Sequence, residues 1–94
     1  MKKITQYGAD WCQVCKSMTP IVEAVALELG VKYVYIDVDT PDGFQAASEI
    51  GVMSVPVTVI QNGDDVLTVT GGCSQDDLMD VAQRGMLGEL NADF

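Results

Sequence analysis

The sequence predicts an α/β chain in the order β-α-β-α-β-β-α, with a four-stranded mixed sheet flanked by helices. Three observations lead there. Apolar residues recur at helical spacing from Met18 to Leu29, and β-branched segments flank that stretch on both sides. Asn62-Gly63 then sits in a turn between two further strand-like segments, the signature of a hairpin. Strands that alternate with helices and close on a hairpin build one mixed sheet, with helices on both faces.

Lys3 to Tyr7 reads as a short strand that ends at Gly8. Met18, Ile21, Val22, Val25, Ala26 and Leu29 fall on one face of a helix, and Gly30 is placed to end it. Pro20 lies inside that helix, removes one backbone bond and should kink it. Val31 to Val38 is rich in β-branched and aromatic residues and reads as a buried strand. Thr40-Pro41 looks like a helix start with Pro at its first position, and Phe44, Ala47 and Ile50 form a short apolar stripe before Gly51. Val57 to Ile60 and Val66 to Thr70 are the two hairpin strands. Ser74 can cap a last helix with Asp76 and Asp77 in its first turn, and Leu78, Val81 and Ala82 toward the core. Gly85 and Gly88 leave the end of that helix open.

The chain of 94 residues shows no repeat, linker or low-complexity tract, so residues 1–94 read as one domain. Its composition, 48% hydrophobic and 20% charged with a mean hydropathy of +0.19, is that of a globular protein. Five basic residues against fourteen acidic ones give a formal charge of −9, which argues against nucleic acid as a partner. No apolar run approaches the roughly 20 residues of a spanning helix, so no membrane role is expected. The start, Met1-Lys2-Lys3-Ile4-Thr5, lacks the apolar stretch of a secretory signal, and a cytoplasmic location is expected.

Three cysteines are too few, and odd in number, for a disulfide scaffold. Cys12-Gln13-Val14-Cys15 stands at a strand-to-helix junction, a spacing with a definite chemical use. At a helix N-terminus, free N–H groups and the macrodipole stabilise a thiolate at Cys12. Cys15, one turn later, is near enough to attack a mixed disulfide. Cys12 is thus the nucleophile and Cys15 the resolving thiol in thiol–disulfide exchange. The competing reading, half of a zinc site, lacks ligands: the chain has no His and only Cys73 besides. No metal is therefore assigned.

Ala9-Asp10-Trp11-Cys12-Gln13-Val14-Cys15-Lys16, followed by Pro20, resembles the active-site segment of the thioredoxin family. Val55-Pro56 resembles that family's cis-proline element, and Gly71 its substrate-groove glycine. The resemblance runs from about Ile4 to Ala82 and implies a thioredoxin fold in a protein-disulfide reductase; the alternative of a non-catalytic binding module on this fold is opposed by the intact Cys12 and Cys15 pair. It implies client contacts at Trp11, Gln13, Val14, Val55, Pro56, Gly71 and Gly72. It also implies a redox-active Cys12–Cys15 disulfide with no bound cofactor, and electrons from a thioredoxin reductase with NADPH or from glutathione. Clients would be protein disulfides, with ribonucleotide reductase among those the family serves, and the protein itself a monomer.

Several features resemble the related glutaredoxins instead. The chain begins directly at the strand leading into the motif, as they do. Gly71-Gly72-Cys73-Ser74-Gln75-Asp76-Asp77-Leu78 resembles their glutathione-binding segment, which would place glutathione contacts at Val55, Gly72, Cys73 and Asp76. A Ser74 helix cap accounts for the same residues. Cys73 reads either as a regulatory or glutathionylated thiol or as a small loop residue, and Lys16 either as a modifier of Cys12 or as a solvated helix residue. Gln13-Val14 differs from the pairs usual in either family, which leaves the redox potential open. Gln6 stands where thioredoxins carry a buried Asp that serves proton transfer, and an amide cannot titrate.

Overall fold

A computed structural model describes residues 2–86. The strands are β1 (Lys2–Gly8), β2 (Lys32–Asp37), β3 (Val57–Asn62) and β4 (Asp65–Thr70). The helices are α1 (Gln13–Leu29), α2 (Pro41–Glu49) and α3 (Gln75–Met86). In space the sheet runs β2-β1-β3-β4. β1 pairs parallel with β2, which requires the helical crossover through α1, and antiparallel with β3. β3 and β4 form the antiparallel hairpin.

Side-chain alternation along β1 divides the core. Ile4 lies opposite Ile60 and joins Met18, Val22, Val25 and Ala26 of α1 with Leu78 and Ala82 of α3. Tyr7 on the other face joins Val57, Val59 and Ala47 of α2. Each fully buried aliphatic side chain contributes about 1.5–3 kcal/mol through lost contact with water.

The termini of the helices follow local chemistry. Cys12 is the N-cap of α1, and Gly30 ends that helix with its N–H directed at the carbonyls of Ala26 and Leu27. The helix continues through Pro20 as one element. Thr40 caps α2, its Oγ accepting from the Gly43 N–H at 3.0 Å, with Pro41 in the first turn. Ser74 Oγ accepts from the Asp77 N–H at 3.1 Å at the start of α3. That helix passes through Gly85 to Met86, and Gly88 lies outside the described residues.

Two expectations need correction. The Val31–Val38 segment is not a buried strand: β2 covers Lys32–Asp37 at a sheet edge, with every residue half-buried or exposed. Tyr33 packs on the core beneath α1 and Ile36 on the one beneath α2, but only one edge of the strand is covered by a neighbouring strand. Nor do Phe44 and Ile50 enter the core. α2 buries Gly43 and Ala47 instead, and Phe44 remains 66% exposed. A nine-residue helix lying on a sheet needs only a narrow contact line, and small residues form it here.

This division sets an expected pair of outcomes in urea denaturation. Leu78→Ala should lower stability by about 2–5 kcal/mol, because it opens a cavity between α1, α3 and the sheet. Phe44→Ser should change it by no more than about 0.5 kcal/mol.

Candidate active site

The C-terminal end of β1, the first turn of α1, the loop before β3 and the loop after β4 meet at one end of the molecule. β1 ends in Gly8, and Ala9 accepts the Cys12 N–H at 3.1 Å, a turn that delivers Cys12 to the start of α1. Cys12 and Cys15 form a disulfide, with Cα atoms 5.2 Å apart. Cys12 Sγ also accepts the Cys15 backbone N–H at 3.1 Å. That bond is an N-cap made by sulfur: the third N–H of α1, one of its free first-turn donors, points at the atom that would carry charge as a thiolate. Cys15 is fully buried at 1%, and Cys12 is nearly so at 8%. The two sulfurs are thus differentiated, one at the rim and one beneath it.

The loop before β3 closes over the pair. The Val55–Pro56 peptide bond is cis, and the Val55 carbonyl oxygen lies 3.9 Å from Cys12 Sγ. The Pro56 carbonyl accepts the Gly71 N–H at 2.9 Å, which ties this loop to the end of β4. Gly71 holds φ at +86°, a left-handed conformation that disfavours any side chain. At Gly72 the constraint is space, since a Cβ there would come within 3.0 Å of Val14 Cγ1. These two glycines let the chain run past the Gln13-Val14 bridge. The sequence-predicted residues Trp11, Val14, Val55, Pro56, Gly71 and Gly72 are therefore gathered around the dithiol.

Trp11 is 68% exposed, and its indole N–H donates to Asp39 Oδ2 at 2.8 Å. Asp39 is a partner that the sequence did not single out, since an Asp between a strand and a helix reads as turn chemistry. A groove of about 180 Å³ extends from Trp11 along Phe44, Val52, Met53 and Val55. Met53 is 96% exposed, and neither it nor Phe44 carried a functional signal in the sequence. Asp39, held by Trp11 at this groove, acts with Asp37 and Asp10 on Tyr35 of β2: burial first and then the carboxylates of Asp37, Asp10 and Asp39 push its hydroxyl above the ordinary value. The flank is acidic.

Beneath the dithiol the surroundings are neutral and polar. Gln6 is fully buried, its Nε2 donates to the Cys15 carbonyl at 3.1 Å, and its Oε1 accepts from the Tyr33 hydroxyl at 2.8 Å. Lys16 is exposed on α1. Cys73, a free thiol, is half-buried against the core, and its N–H donates to Met18 Sδ at 3.4 Å. Asp76 lies exposed in the first turn of α3.

Comparison with known proteins agrees with this geometry. The family model described as Thioredoxin matches residues 2–84. A thioredoxin of Bacillus subtilis (strain 168) is 28% identical over 82 residues, covering 86% of this chain and 79% of that protein. One from Porphyra purpurea is 32% identical over 69 residues, covering 72% and 64% respectively. Thioredoxin 1 from Thermosipho africanus superposes with a TM-score of 0.79 at 22% identity, over 93% of this chain and 97% of that one. A mutant thioredoxin from Halobacterium salinarum gives a TM-score of 0.80 at 29% identity, over 90% and 74%. With its dithiol capped onto α1 and faced by a cis-proline loop, the chain belongs to the thioredoxin family and is a protein-disulfide oxidoreductase working through Cys12 and Cys15.

Proposed function

We propose that the protein acts as a reductant of client disulfides, with Cys12 as the attacking thiolate and Cys15 as the resolving thiol. The observation that carries this reading is the Cys15 N–H aimed at Cys12 Sγ, with Cys15 itself buried. Cys12 attacks one sulfur of the client disulfide, which releases the other as a thiolate. Cys15 then attacks Cys12 in the mixed disulfide. The Cys12–client bond breaks, the Cys12–Cys15 bond forms, and the client leaves with both sulfurs reduced. Two electrons pass from the dithiol to the client.

Client backbone would pair with Val55 beside Pro56, while Gln13, Val14, Gly71 and Gly72 offer a flat approach to Cys12. An apolar client side chain fits the groove between Trp11, Phe44 and Met53. Electrons come from a thioredoxin reductase with NADPH. This donor is favoured over glutathione because Ser74 Oγ already takes the Asp77 N–H, a donor that a glutathione carboxylate at this helix start would need. Capping accounts for the Gly71–Asp77 segment, and contacts from Val55, Gly72, Cys73 and Asp76 to glutathione are not invoked. A reducing role suits the cytoplasm, where thiol pools are kept reduced, and the protein is read as a monomeric single domain.

NADPH consumption tests the donor. Turnover of a protein disulfide is expected with thioredoxin reductase and little with glutathione plus glutathione reductase; the reverse result assigns the glutathione route. Cys15→Ser should trap clients covalently on Cys12, visible as reductant-sensitive adducts, and Cys12→Ser should trap none. Met53→Ser and Phe44→Ser should each raise KM for a peptide disulfide bearing an apolar side chain by about three- to tenfold, with kcat little changed.

Cys73 supports a pH prediction. Burial first, and then the Asp77 carboxylate, hold its thiol above the ordinary value, so the protonated form predominates at neutral pH. The folded state favours that protonated form. Its contribution to stability is complete below the ordinary cysteine pKa and is lost as pH rises through the raised one. With Cys12–Cys15 oxidised, iodoacetamide at neutral pH should label Cys73 more slowly than a free cysteine peptide. The rate should climb with pH and increase in Asp77→Asn.

A further inference from the structure

Gln6 is a fully buried polar side chain on the central strand, and the exchange chemistry itself makes no use of it. Burying an amide without partners is costly, and here both of its ends are occupied. The Cys15 carbonyl can only accept, so Gln6 must turn its N–H toward it. Tyr33, two residue pairs away in the parallel register with β2, then donates its hydroxyl to the remaining amide oxygen. Thr19 Oγ also donates to the Cys15 carbonyl, at 3.1 Å. Gln6, backed by Tyr33, and Thr19 thus converge on one backbone carbonyl, that of the cysteine that must move its sulfur during resolution.

We propose that Gln6, oriented by Tyr33, is a positioning residue for the resolving step, clamping the Cys15 backbone so that the Cys15 sulfur addresses Cys12. The inference rests on the reading of Cys15 as the resolving thiol. It differs from any scheme in which a group at this position accepts a proton. The groups facing Gln6 are Cys15 and Thr19 from α1, Tyr33 and the directly paired Tyr35 from β2, and Thr58 opposite it on β3. α3 brings the apolar Leu78 and Ala82 to the same side of the sheet. Among the charged groups, Glu23 of α1 lies near Tyr33; burial first and then this carboxylate keep the Tyr33 hydroxyl protonated and a donor. In the step itself, Cys15–SH and the Cys12–S–S–client bond become the Cys12–S–S–Cys15 bond and client–SH. The proton passes from Cys15 to the departing client sulfur, directly or through solvent, and no protein base takes it.

The two chemical steps separate the clamp from a merely structural role. In single turnover with a peptide disulfide, acid quenching and mass spectrometry follow the mixed disulfide as it forms at Cys12 and decays at Cys15. Gln6→Leu should leave formation within about twofold of wild type and slow decay about tenfold, the factor that loss of one hydrogen bond produces. Tyr33→Phe, which frees the amide oxygen while retaining Gln6, should slow decay by a smaller factor in the same direction and serves if Gln6→Leu fails to fold.

Gln6→Glu supplies the opposing outcomes. A protonated Glu can donate to the Cys15 carbonyl and accept from Tyr33, whereas a carboxylate repels that carbonyl. Decay should therefore approach the wild-type rate as pH falls and slow as pH rises, when compared with wild type at each pH. Faster decay relative to wild type with rising pH would instead identify a proton acceptor and overturn the clamp. Equal slowing of both steps, or of neither, in Gln6→Leu and Tyr33→Phe also overturns it, leaving a packing role. Absence of any mixed disulfide in the wild-type protein would remove the underlying reading of Cys12 and Cys15, a failure distinct from these.

Discussion

The seating of α1 across β1 is the constraint on which the reactive end depends. Met18, Val22, Val25 and Ala26 press one face of the helix onto Ile4 and Ile60, and α3 closes the layer with Leu78 and Ala82. With the helix axis fixed in this way, the short turn from Gly8 to Cys12 leaves little freedom in where α1 begins. Its free N–H groups consequently emerge beyond the C-terminal end of β1, and the sulfur of Cys12 occupies the cap position. The loop carrying Val55 and Pro56 reaches the same place because β3 is the antiparallel neighbour of β1. Fold and reactivity meet through pairing partners of a single strand.

The surroundings of the two sulfurs differ in kind. Around Cys12 the surface is apolar, with Trp11, Phe44 and Met53 exposed along a groove and carboxylates on its flank. Under Cys15 the polar groups are neutral and hydrogen-bonded to the backbone. A surface of the first type suits transient contact with an unfolded or extended chain, where area and electrostatic rim both matter. Surroundings of the second type favour a defined backbone geometry without placing a charge in the core. The protein thus separates recognition from alignment over the four residues from Cys12 to Cys15.

The order of elements was legible because each carried its own local signal: the stripe from Met18 to Leu29, Thr40-Pro41 as a cap, Asn62-Gly63 as a turn and Ser74 before two aspartates. The dithiol was legible for the same reason, since its spacing and its place before a helix are both local. What escaped were properties that only packing decides. Tyr33 and Tyr35 look like buried strand residues until the strand order puts β2 at the edge. Phe44 and Ile50 lie at helical spacing, yet α2 turns Gly43 and Ala47 inward. The Gln6–Tyr33 hydrogen bond joins residues 27 positions apart, and Trp11 reaches Asp39 across 28, distances over which a single sequence carries no pattern. Gln6 was noticed only as a substitution; its two partners required the register of β1 on β2.

β2 has one further consequence. The Val38 N–H donates to the Gly8 carbonyl, so the alternate residues Tyr33, Tyr35 and Asp37 turn their backbone groups away from β1. The Asp37 carbonyl is taken by the Thr40 N–H and hydroxyl, but the outward backbone groups of Tyr33 and Tyr35 meet no strand among the described residues, so they form a template onto which another extended chain could zip, and the strand has no proline to interrupt it. Lys32 and Asp37 place charge at its two ends, and a formal charge of −9 on each molecule keeps copies apart over distances of a Debye length, about 8 Å at physiological ionic strength. The acidity that disfavours nucleic acid therefore acts as colloidal protection for an open β-edge, strongest in dilute buffer and eroded by salt.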